Sequence, residues 1–505
     1  MVTARTTNTL RNILFSYADV LVTIVFQFVS RTVIIHILGS EYLGLSSLFS
    51  AILQVLNMAE MGFSVAIIYN MYKPIAENDE KKICSLLNYY KKIYGYVSKA
   101  IVTIGLMVLP ILPLLIGNSY PSDIDIYIIY ILYLINTVCS YVFFAYKTAL
   151  LTALQRLDLV KISYTIANLL QYFLQLTSII VFENYYYFVI SLIIGTILKN
   201  CISAYNSKKY YSRFVCHGEI DSETKLDIKK RVKGLLICNI SAITFTSLDS
   251  IIISALLGLT AVAIYNNYIA IYTGVMSFVV LIRHSMQASV GNSVAIESKK
   301  KNLCDLELFQ FMFSVIATLC SVCMLCLYQP FMAIWMGEDM LLPLSNVILL
   351  CIWAYISIVQ HPYFLYMSGN GMWMEMKWPY IISTVCNLSL NFGLGYILGT
   401  TGIILATVIA SFLFGMIWQC VIVFKKYFGI SARSYLKRQA LYFVFFSFVS
   451  FTSYLFCEIV QFVGIIELMI KLIICIFITM MAIILIYGKS DLFAKSQMII
   501  KRALN

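Results

Sequence analysis

Residues 44–82 read GLSSLFSAILQVLNMAEMGFSVAIIYNMYKPIAENDEKK, and the change of character within this stretch decides the class of fold. Positions 44–70 hold a single charged side chain, Glu60, whereas Lys73, Lys81 and Lys82 follow soon after. A hydrocarbon core about 30 Å thick is crossed by roughly 20 apolar helical residues. The stretch therefore predicts a membrane-spanning helix that ends in a basic, water-exposed segment.

The same alternation recurs along the whole chain of 505 residues, of which 61% are hydrophobic and 12% are charged. Soluble domains carry about 25% charged residues. The sequence predicts an all-α polytopic membrane protein with about fourteen transmembrane helices. They are expected at 13–37, 44–70, 92–116, 124–150, 161–182, 185–206, 235–258, 261–284, 305–328, 342–368, 378–398, 401–425, 438–460 and 463–487.

Almost every lysine and arginine falls in alternate gaps between these spans, and the opposite gaps, such as 117–123 and 329–341, contain none. Positive charge collects on the cytoplasmic side of membrane proteins. We therefore expect both termini to be cytoplasmic, with the first helix as its own insertion signal. Two exceptions, Arg31 and Lys471, lie inside predicted spans. The net charge of +12 reflects topology and an attraction to anionic membrane lipids, and nothing indicates a nucleic-acid partner.

The longest hydrophilic interval, 207–234, separates six spans from eight. A weak repeat places Gly39 over Gly258, each at the end of the first span of a block, and transporters are often built from such repeats. We expect an N-terminal lobe over 1–206 and a cytoplasmic loop over 207–234. A C-terminal lobe over 235–425 follows. The two lobes would be pseudo-symmetric six-helix units, and 426–505 would add two peripheral helices and a cytoplasmic tail.

Polar side chains form stripes on several of these spans. Asp19 and Gln27 share one face of the first helix with Arg31 at its edge, and Asn57 and Glu60 share a face of the second. An ionisable group in the hydrocarbon costs at least about 2.5–3.5 kcal/mol, so each such residue is a functional candidate. Burial would ease protonation of a carboxylate. We therefore assign Glu60 and Asp19 to coupling of H⁺ or Na⁺, with a neutral, hydrogen-bonded Glu60 as the structural alternative.

The repeat places Arg31 and Asp249 at one level in the two lobes, where they either line a substrate cavity or form a permanent ion pair. Further substrate-binding candidates have amide side chains, which would either bind sugar hydroxyls or join helices at about 0.6 kcal/mol each. These candidates are Gln27, Asn57, Gln171, Gln175, Asn387 and Asn391.

Two kinds of site are disfavoured by the same residues. Cys320, Cys323 and Cys326 have the spacing of a ligand set on one helix, yet buried cysteine usually acts as a small apolar side chain, so we predict no metal. The chain lacks a nucleotide-binding loop of the Gly-Lys-Ser/Thr type, and its outer gaps are too short for a catalytic domain. We therefore expect a transporter with no enzymatic activity and no cofactor besides a coupling ion.

Three stretches resemble bacterial polysaccharide flippases of the O-antigen and capsule type, in the multidrug/oligosaccharidyl-lipid/polysaccharide exporter superfamily. They are SRTVIIHILGSEYLGLSSLFSAILQVLNMAEMGFSVAIIYNMYKPIAENDEKKI at 30–83, LDSIIISALLGLTAVAIYNNY at 248–268 and SMQASVGNSVA at 285–295. In this resemblance Arg31 matches the arginine of the first-helix motif and Glu60 the carboxylate of the AEMG motif. One departure is that few cations lie within the predicted helices.

The resemblance implies two lobes around a cavity that opens alternately to each side of the bacterial plasma membrane. The implied substrate is an oligosaccharide repeat unit on undecaprenyl pyrophosphate, and the implied partners are membrane lipids, a polysaccharide polymerase and glycosyltransferases. Three alternatives stay open. They are a cation-coupled multidrug exporter, a peptidoglycan-precursor flippase of the same superfamily, and a non-transporting membrane scaffold of a polysaccharide synthesis complex.

Overall fold

The computed structural model describes residues 2–117, 120–460, 462 and 464–504, and throughout these residues the regular structure is helical. Contacts divide the chain into two compact units, Met1–Ala263 and Ile264–Asn505. This is the all-helical polytopic membrane fold that the sequence predicts. The predicted lobe and loop boundaries stay a prediction.

The first unit contains the helices that precede residue 264. They are α1 (Val2–Ile37), α2 (Ser40–Leu56), α3 (Met61–Glu77), α4 (Glu80–Val108), α5 (Leu112–Ile116), α6 (Ile126–Val142), α7 (Ala145–Ala153), α8 (Leu157–Ile180), α9 (Tyr185–Tyr210), α10 (Ser222–Leu257) and the beginning of α11 (Leu259–Ile296).

The second unit contains the remainder of α11 and the helices that follow it. They are α12 (Lys299–Met336), α13 (Leu344–Val359), α14 (His361–Gly369), α15 (Lys377–Leu398), α16 (Thr400–Ala410), α17 (Gln419–Val423), α18 (Arg433–Glu458), α19 (Ile465–Tyr487) and α20 (Asp491–Leu504). Two π-helical segments, Ser411–Trp418 and Phe424–Phe428, make α16 and α17 parts of one long rod.

Within the described residues, ten helices are long and apolar enough to cross a membrane, or eleven if the bent pair α6–α7 is one span. The predicted number of fourteen is therefore not reached by length and composition. One reason is that the second predicted span is divided into α2 and α3. Another is that α8, which covers the fifth predicted span, is not among these helices.

The break between α2 and α3 is a single 3-10 turn, Asn57–Ala59, in the middle of the second predicted span. A 3-10 stretch inside a longer helix often marks a hinge or a functional site. In lipid, an irregular backbone is tolerated only where protein or a water-filled cavity surrounds it. The turn also places Glu60 at the beginning of α3 and Asn57 at the end of α2.

Helix α10 packs along both halves of this broken span. Ser247 donates a hydrogen bond to Gln54 of α2 over 3.0 Å, and Asn70 of α3 donates to Asp227 over 3.3 Å. At the predicted outer end, a Cβ at position 44 would lie 2.1 Å from the carbonyl oxygen of Leu259. Only glycine permits this approach. The contacts explain why α10 belongs to the first compact unit, although the sequence assigns its span to the second lobe.

In the second unit, the last two predicted spans, α18 and α19, pack against α12. Buried Gln310 of α12 donates to Gln439 of α18 over 3.1 Å, and Gln439 donates to the hydroxyl of Tyr355 over 3.2 Å. Arg438 and Glu307 form an ion pair beside them. Helix α18 is thus joined to α12 and α13 by polar side chains.

Replacement of Gly44 by alanine is expected to lower the free energy of unfolding by about 1–3 kcal/mol, because the methyl group would force α2 away from Leu259. Gly95→Ala is the matched control, since position 95 is exposed on α4 and nothing lies within 4 Å of a Cβ there. Thermal unfolding in detergent micelles measures both variants. A Gly44→Ala protein as stable as the wild type would contradict the close approach.

Candidate functional site

Glu60 lies at the helix break and faces two tyrosines of α4. Its Oε1 accepts a hydrogen bond from Tyr94 over 2.7 Å and a longer one from Tyr90 over 3.4 Å, and the two tyrosine hydroxyls contact each other. Tyr90 is fully buried and Tyr94 is nearly so. Hydrogen bonds of this kind stabilise a carboxylate in a water-poor environment.

A third tyrosine extends this cluster to α6. The Tyr141 hydroxyl donates to Asn57 Oδ1 over 3.0 Å, and the Tyr141 ring packs edge-to-face against Tyr94 with centroids 5.3 Å apart. The two polar residues of the broken span, Asn57 and Glu60, therefore belong to one network that joins three helical rods. We call Asn57, Glu60, Tyr90, Tyr94 and Tyr141 the tyrosine cluster. The sequence identified its amide and its carboxylate but none of its tyrosines.

Asp19 occupies a second polar group, formed by α1, α8 and α9. Its Oδ2 pairs with Lys161 Nζ at 2.8 Å, while Oδ1 is buried without a hydrogen-bond partner among the described residues. Lys161 and Lys199 both lie over the ring of Tyr164, at 6.0 Å and 4.9 Å from its centroid. Two ammonium groups and one carboxylate thus share a half-buried site. We call Asp19, Lys161, Tyr164 and Lys199 the lysine group.

Lys199 is a further exception to the alternation of positive charge, besides Arg31 and Lys471. It was assigned to the gap after the sixth span, yet it lies 14 residues after the beginning of α9 and 11 before its end. At 1.5 Å per residue these distances are about 21 Å and 16 Å, so Lys199 is near the middle of the helix. Lys199 adds to the few cations that lie within the helices. The signal was present in the sequence as a single lysine inside an otherwise apolar run.

Arg283 is a second missed cation, in the other compact unit. Its predicted span ended at 284, but α11 continues to Ile296, which leaves Arg283 well inside the helix. The guanidinium lies 4.5 Å from the ring centroid of Phe364 and 3.5 Å from His284 Nε2. His361, at the beginning of α14, packs edge-to-face on Phe313, and its Nε2 is buried with no hydrogen-bond partner in the described part of the chain.

The candidates on α1 and α10 differ in their burial. Asp249 is fully buried in α10, Arg31 is half-buried in α1, and Gln27 is exposed on a membrane-spanning helix. An exposed glutamine at that depth faces either lipid or a water-filled cavity. The pairing of Arg31 with Asp249 stays a prediction.

The remaining amide candidates contact neighbouring helices. Asn387 donates to Thr407 of α16 over 3.1 Å and accepts from Asn391 over 3.4 Å, and both asparagines are fully buried. Gln175 is buried in α8, and Gln171 packs so closely on Gly195 of α9 that a Cβ there would lie 2.3 Å from its Oε1. This geometry favours the helix-joining alternative for Asn387 and Gln171, whose contacts reach a neighbouring helix.

Lys471, the other exception to the charge rule, is buried in α19. Its ammonium pairs with Glu467, one turn earlier, at 2.6 Å. The pair compensates a charge that would otherwise be costly at this depth. Lys471 is therefore a structural residue of the second unit.

The sequence pattern of the family described as "Polysaccharide biosynthesis protein" matches residues 9–290, which is more than half of the chain. The chain belongs to this family. The matched region includes the tyrosine cluster, the lysine group and Arg283. No curated protein sequence matches the chain.

Solved structures of the multidrug/oligosaccharidyl-lipid/polysaccharide superfamily share the fold. The lipid II flippase MurJ in an inward closed conformation aligns with a TM-score of 0.67 at 14% identity, covering 94% of this chain and 99% of that one. A multidrug resistance MATE family transporter in an inward-facing conformation aligns with 0.61 at 15% identity over 79% and 94%. The Vibrio cholerae MATE transporter VcmN aligns with 0.56 at 13% identity over 87% and 100%.

These likenesses establish the fold of this family member as that of a multi-pass membrane transporter. They leave its substrate and its coupling ion to be argued from the residues of the site. Glu60 and Asp19 as coupling groups, and the substrate-binding residues, stay predictions.

Tyr94→Phe is expected to lower the free energy of unfolding by about 1–3 kcal/mol, because Glu60 loses its shorter hydrogen bond in a buried site. Tyr96→Phe on the same helix is the control, since Tyr96 is 71% exposed and its change should stay within about 0.5 kcal/mol. Thermal unfolding in micelles compares them. Equal effects of the two changes would contradict the assigned hydrogen bond.

Proposed function

We propose that this protein is a flippase that moves undecaprenyl-pyrophosphate-linked oligosaccharide repeat units of the O-antigen or capsule type across the bacterial plasma membrane. Family membership and the transporter fold support this proposal. The observation that carries it is the lysine group, in which Lys199 lies near the middle of the membrane-spanning helix α9 and shares the ring of Tyr164 with Lys161. A lysine that only interacts with solvent would be costly within a membrane-spanning helix, whereas a pyrophosphate that crosses the membrane needs a cationic partner there.

The proposed mechanism begins with the pyrophosphate at the lysine group. Asp19 holds Lys161 in place while the site is empty, and the arriving phosphate oxygens compete with this carboxylate for the ammonium. Sugar hydroxyls bind the exposed Gln27 and other polar groups of the cavity, while the polyprenyl chain stays in lipid. The contacts of α10 with α2 and α3 then separate on one side of the membrane at a time, so that the cavity opens alternately to each side.

Coupling is assigned to the tyrosine cluster. Glu60 takes up a proton or Na⁺, which removes its charge and weakens the hydrogen bonds from Tyr94 and Tyr90. Because Glu60 lies beside the Asn57–Ala59 turn, this change acts at the natural hinge of the second span. Movement of one monovalent charge through the membrane potential supplies about 2.3 kcal/mol per 100 mV, enough to bias direction.

Arg31 and Asp249 form the third element of the proposal. The arginine would hold an acidic sugar or a phosphate oxygen that the lysine group does not reach, with Asp249 as its partner in the empty state. The protein would face the cytoplasm with both termini, and a polymerase and glycosyltransferases would act on the same substrate. Anionic membrane lipids would contact its basic face.

A second candidate substrate is a peptidoglycan precursor. The lysines and arginine inside the helices favour this substrate more than the alternation of charge in the sequence does. The structural likeness to a lipid II flippase is also extensive. Both substrates carry the same pyrophosphate, so the sugar distinguishes them. Export of drugs does not explain Lys199 within the membrane, and a scaffold role explains neither Lys199 nor Glu60.

Deletion of the gene, followed by analysis of lipid-linked intermediates in each leaflet, tests the function. Accumulation of a completed repeat unit on the cytoplasmic side supports the proposal. Accumulation of the peptidoglycan precursor there instead would select the second candidate. Normal export of both, with increased drug sensitivity, would refute flipping of either.

Lys199→Gln is expected to reduce flipping of the lipid-linked substrate in proteoliposomes about tenfold or more, because a charge-assisted contact worth about 1.5–3 kcal/mol is lost. Lys199→Arg should keep most of the activity. Lys208→Gln, an exposed lysine at the end of the same helix, is the matched control and should transport normally. Wild-type rates for Lys199→Gln would remove this residue from the binding site.

Glu60→Gln is expected to abolish the dependence of transport on a proton or Na⁺ gradient, because the neutral amide cannot take up a cation. Flipping in proteoliposomes with and without each imposed gradient measures this, with the exposed Glu77→Gln of the same span as control. An unchanged ion dependence in Glu60→Gln would assign coupling to another group.

A further inference from the structure

Three buried cysteine thiols from three helices converge in the second unit. They are Cys326 of α12, Cys457 of α18 and Cys475 of α19, and their sulfur atoms all lie within 4.8 Å of one another. Cys457 and Cys475 are 3.8 Å apart, sulfur to sulfur. The sequence suggested a different set on α12 alone, Cys320, Cys323 and Cys326, and only the last of these belongs to the convergent group.

A fourth sulfur lies next to this group. Cys323, one turn before Cys326, packs against the same core cluster as the three convergent cysteines. The surroundings are the apolar core of the second unit, with Val322 and Val449 among the buried neighbours. Cys457 lies one residue before the end of α18, so the group is close to the end of that helix.

The spacing of the sulfurs fits a thiolate-bound metal. Zinc binds thiolate sulfur at about 2.3 Å in tetrahedral geometry, which places two ligands about 3.8 Å apart. Soft thiolates select Zn²⁺ and Cu⁺ over the oxygen-binding cations. Three thiolates with Zn²⁺ carry a net charge of −1. This charge costs less free energy to bury in an apolar core than the larger net charge of three thiolates with Cu⁺. With Cu⁺ one of the three sulfurs would have to stay protonated to reach the same charge.

A disulfide accounts for less of the arrangement. It would join Cys457 to Cys475 only after their sulfurs moved to about 2.05 Å. It would leave the thiols of Cys326 and Cys323 beside a bond in which they take no part.

We propose that Cys326, Cys457 and Cys475 bind one thiophilic d¹⁰ cation, Zn²⁺ or Cu⁺. Binding replaces the S–H bonds of the ligating thiols by metal–sulfur bonds and releases those protons to water. The ion joins α18 and α19 to α12. This site lies apart from the lysine group and the tyrosine cluster and is independent of the transported substrate.

The test uses the full-length protein, purified in detergent without a histidine tag and kept reduced by a phosphine. It is incubated with Zn²⁺ or with Cu⁺, freed of unbound metal and assayed for metal per protein. The wild type is expected to retain one ion, and the Cys457→Ser/Cys475→Ser double variant none. Cys351→Ser/Cys420→Ser is the control, because both residues are buried cysteines of the same unit outside the group.

Two further readouts cover a double variant that folds poorly. Loading with Co²⁺ should give a thiolate charge-transfer band in the wild type and in the control variant. Zn²⁺ loading of wild-type protein in native membranes should protect Cys326, Cys457 and Cys475 from alkylation, as read by peptide mass spectrometry. Retention of metal by the double variant, or unprotected thiols after loading, would overturn the proposal. A Cys457–Cys475 disulfide in metal-free protein isolated without reductant would also overturn it.

Discussion

The hydrocarbon interior of a membrane offers no hydrogen-bond partner to a backbone amide or to a charged side chain, and the architecture of this protein follows from that constraint. It makes helices the only regular structure that the described residues use for crossing. It also requires that each ionisable group within a span be compensated by another side chain. Asp19 with Lys161 and Lys471 with Glu467 are direct examples.

The same constraint explains where the regular structure is allowed to fail. The turn at Asn57–Ala59 interrupts a span at the point where tyrosines of α4 and α6 surround it. Their hydroxyls take the place that water would otherwise occupy. A break supported in this way can be both stable and movable, which is what a coupling site beside a hinge requires.

Local patterning predicted the bounds of some helices, such as α15 and α19, to within two residues, because hydropathy is a property of consecutive side chains. It was less successful with single cations. Lys199 and Arg283 were assigned to gaps because a lysine or arginine near a polar segment looks like part of it. Both residues nevertheless lie inside the predicted spans 185–206 and 261–284, and inside α9 and α11.

The sequence by itself determined the helical membrane class, the approximate spans and the presence of Glu60, Asp19 and Arg31 within them. Only the tertiary structure decided which groups compensate them. Lys161 is 142 positions from Asp19, and Tyr94 is 34 from Glu60, so neither pairing leaves a local signal. The convergence of Cys326, Cys457 and Cys475 has the same origin. Helix periodicity determines the face on which a residue lies, whereas the packing of distant helices determines what that face meets.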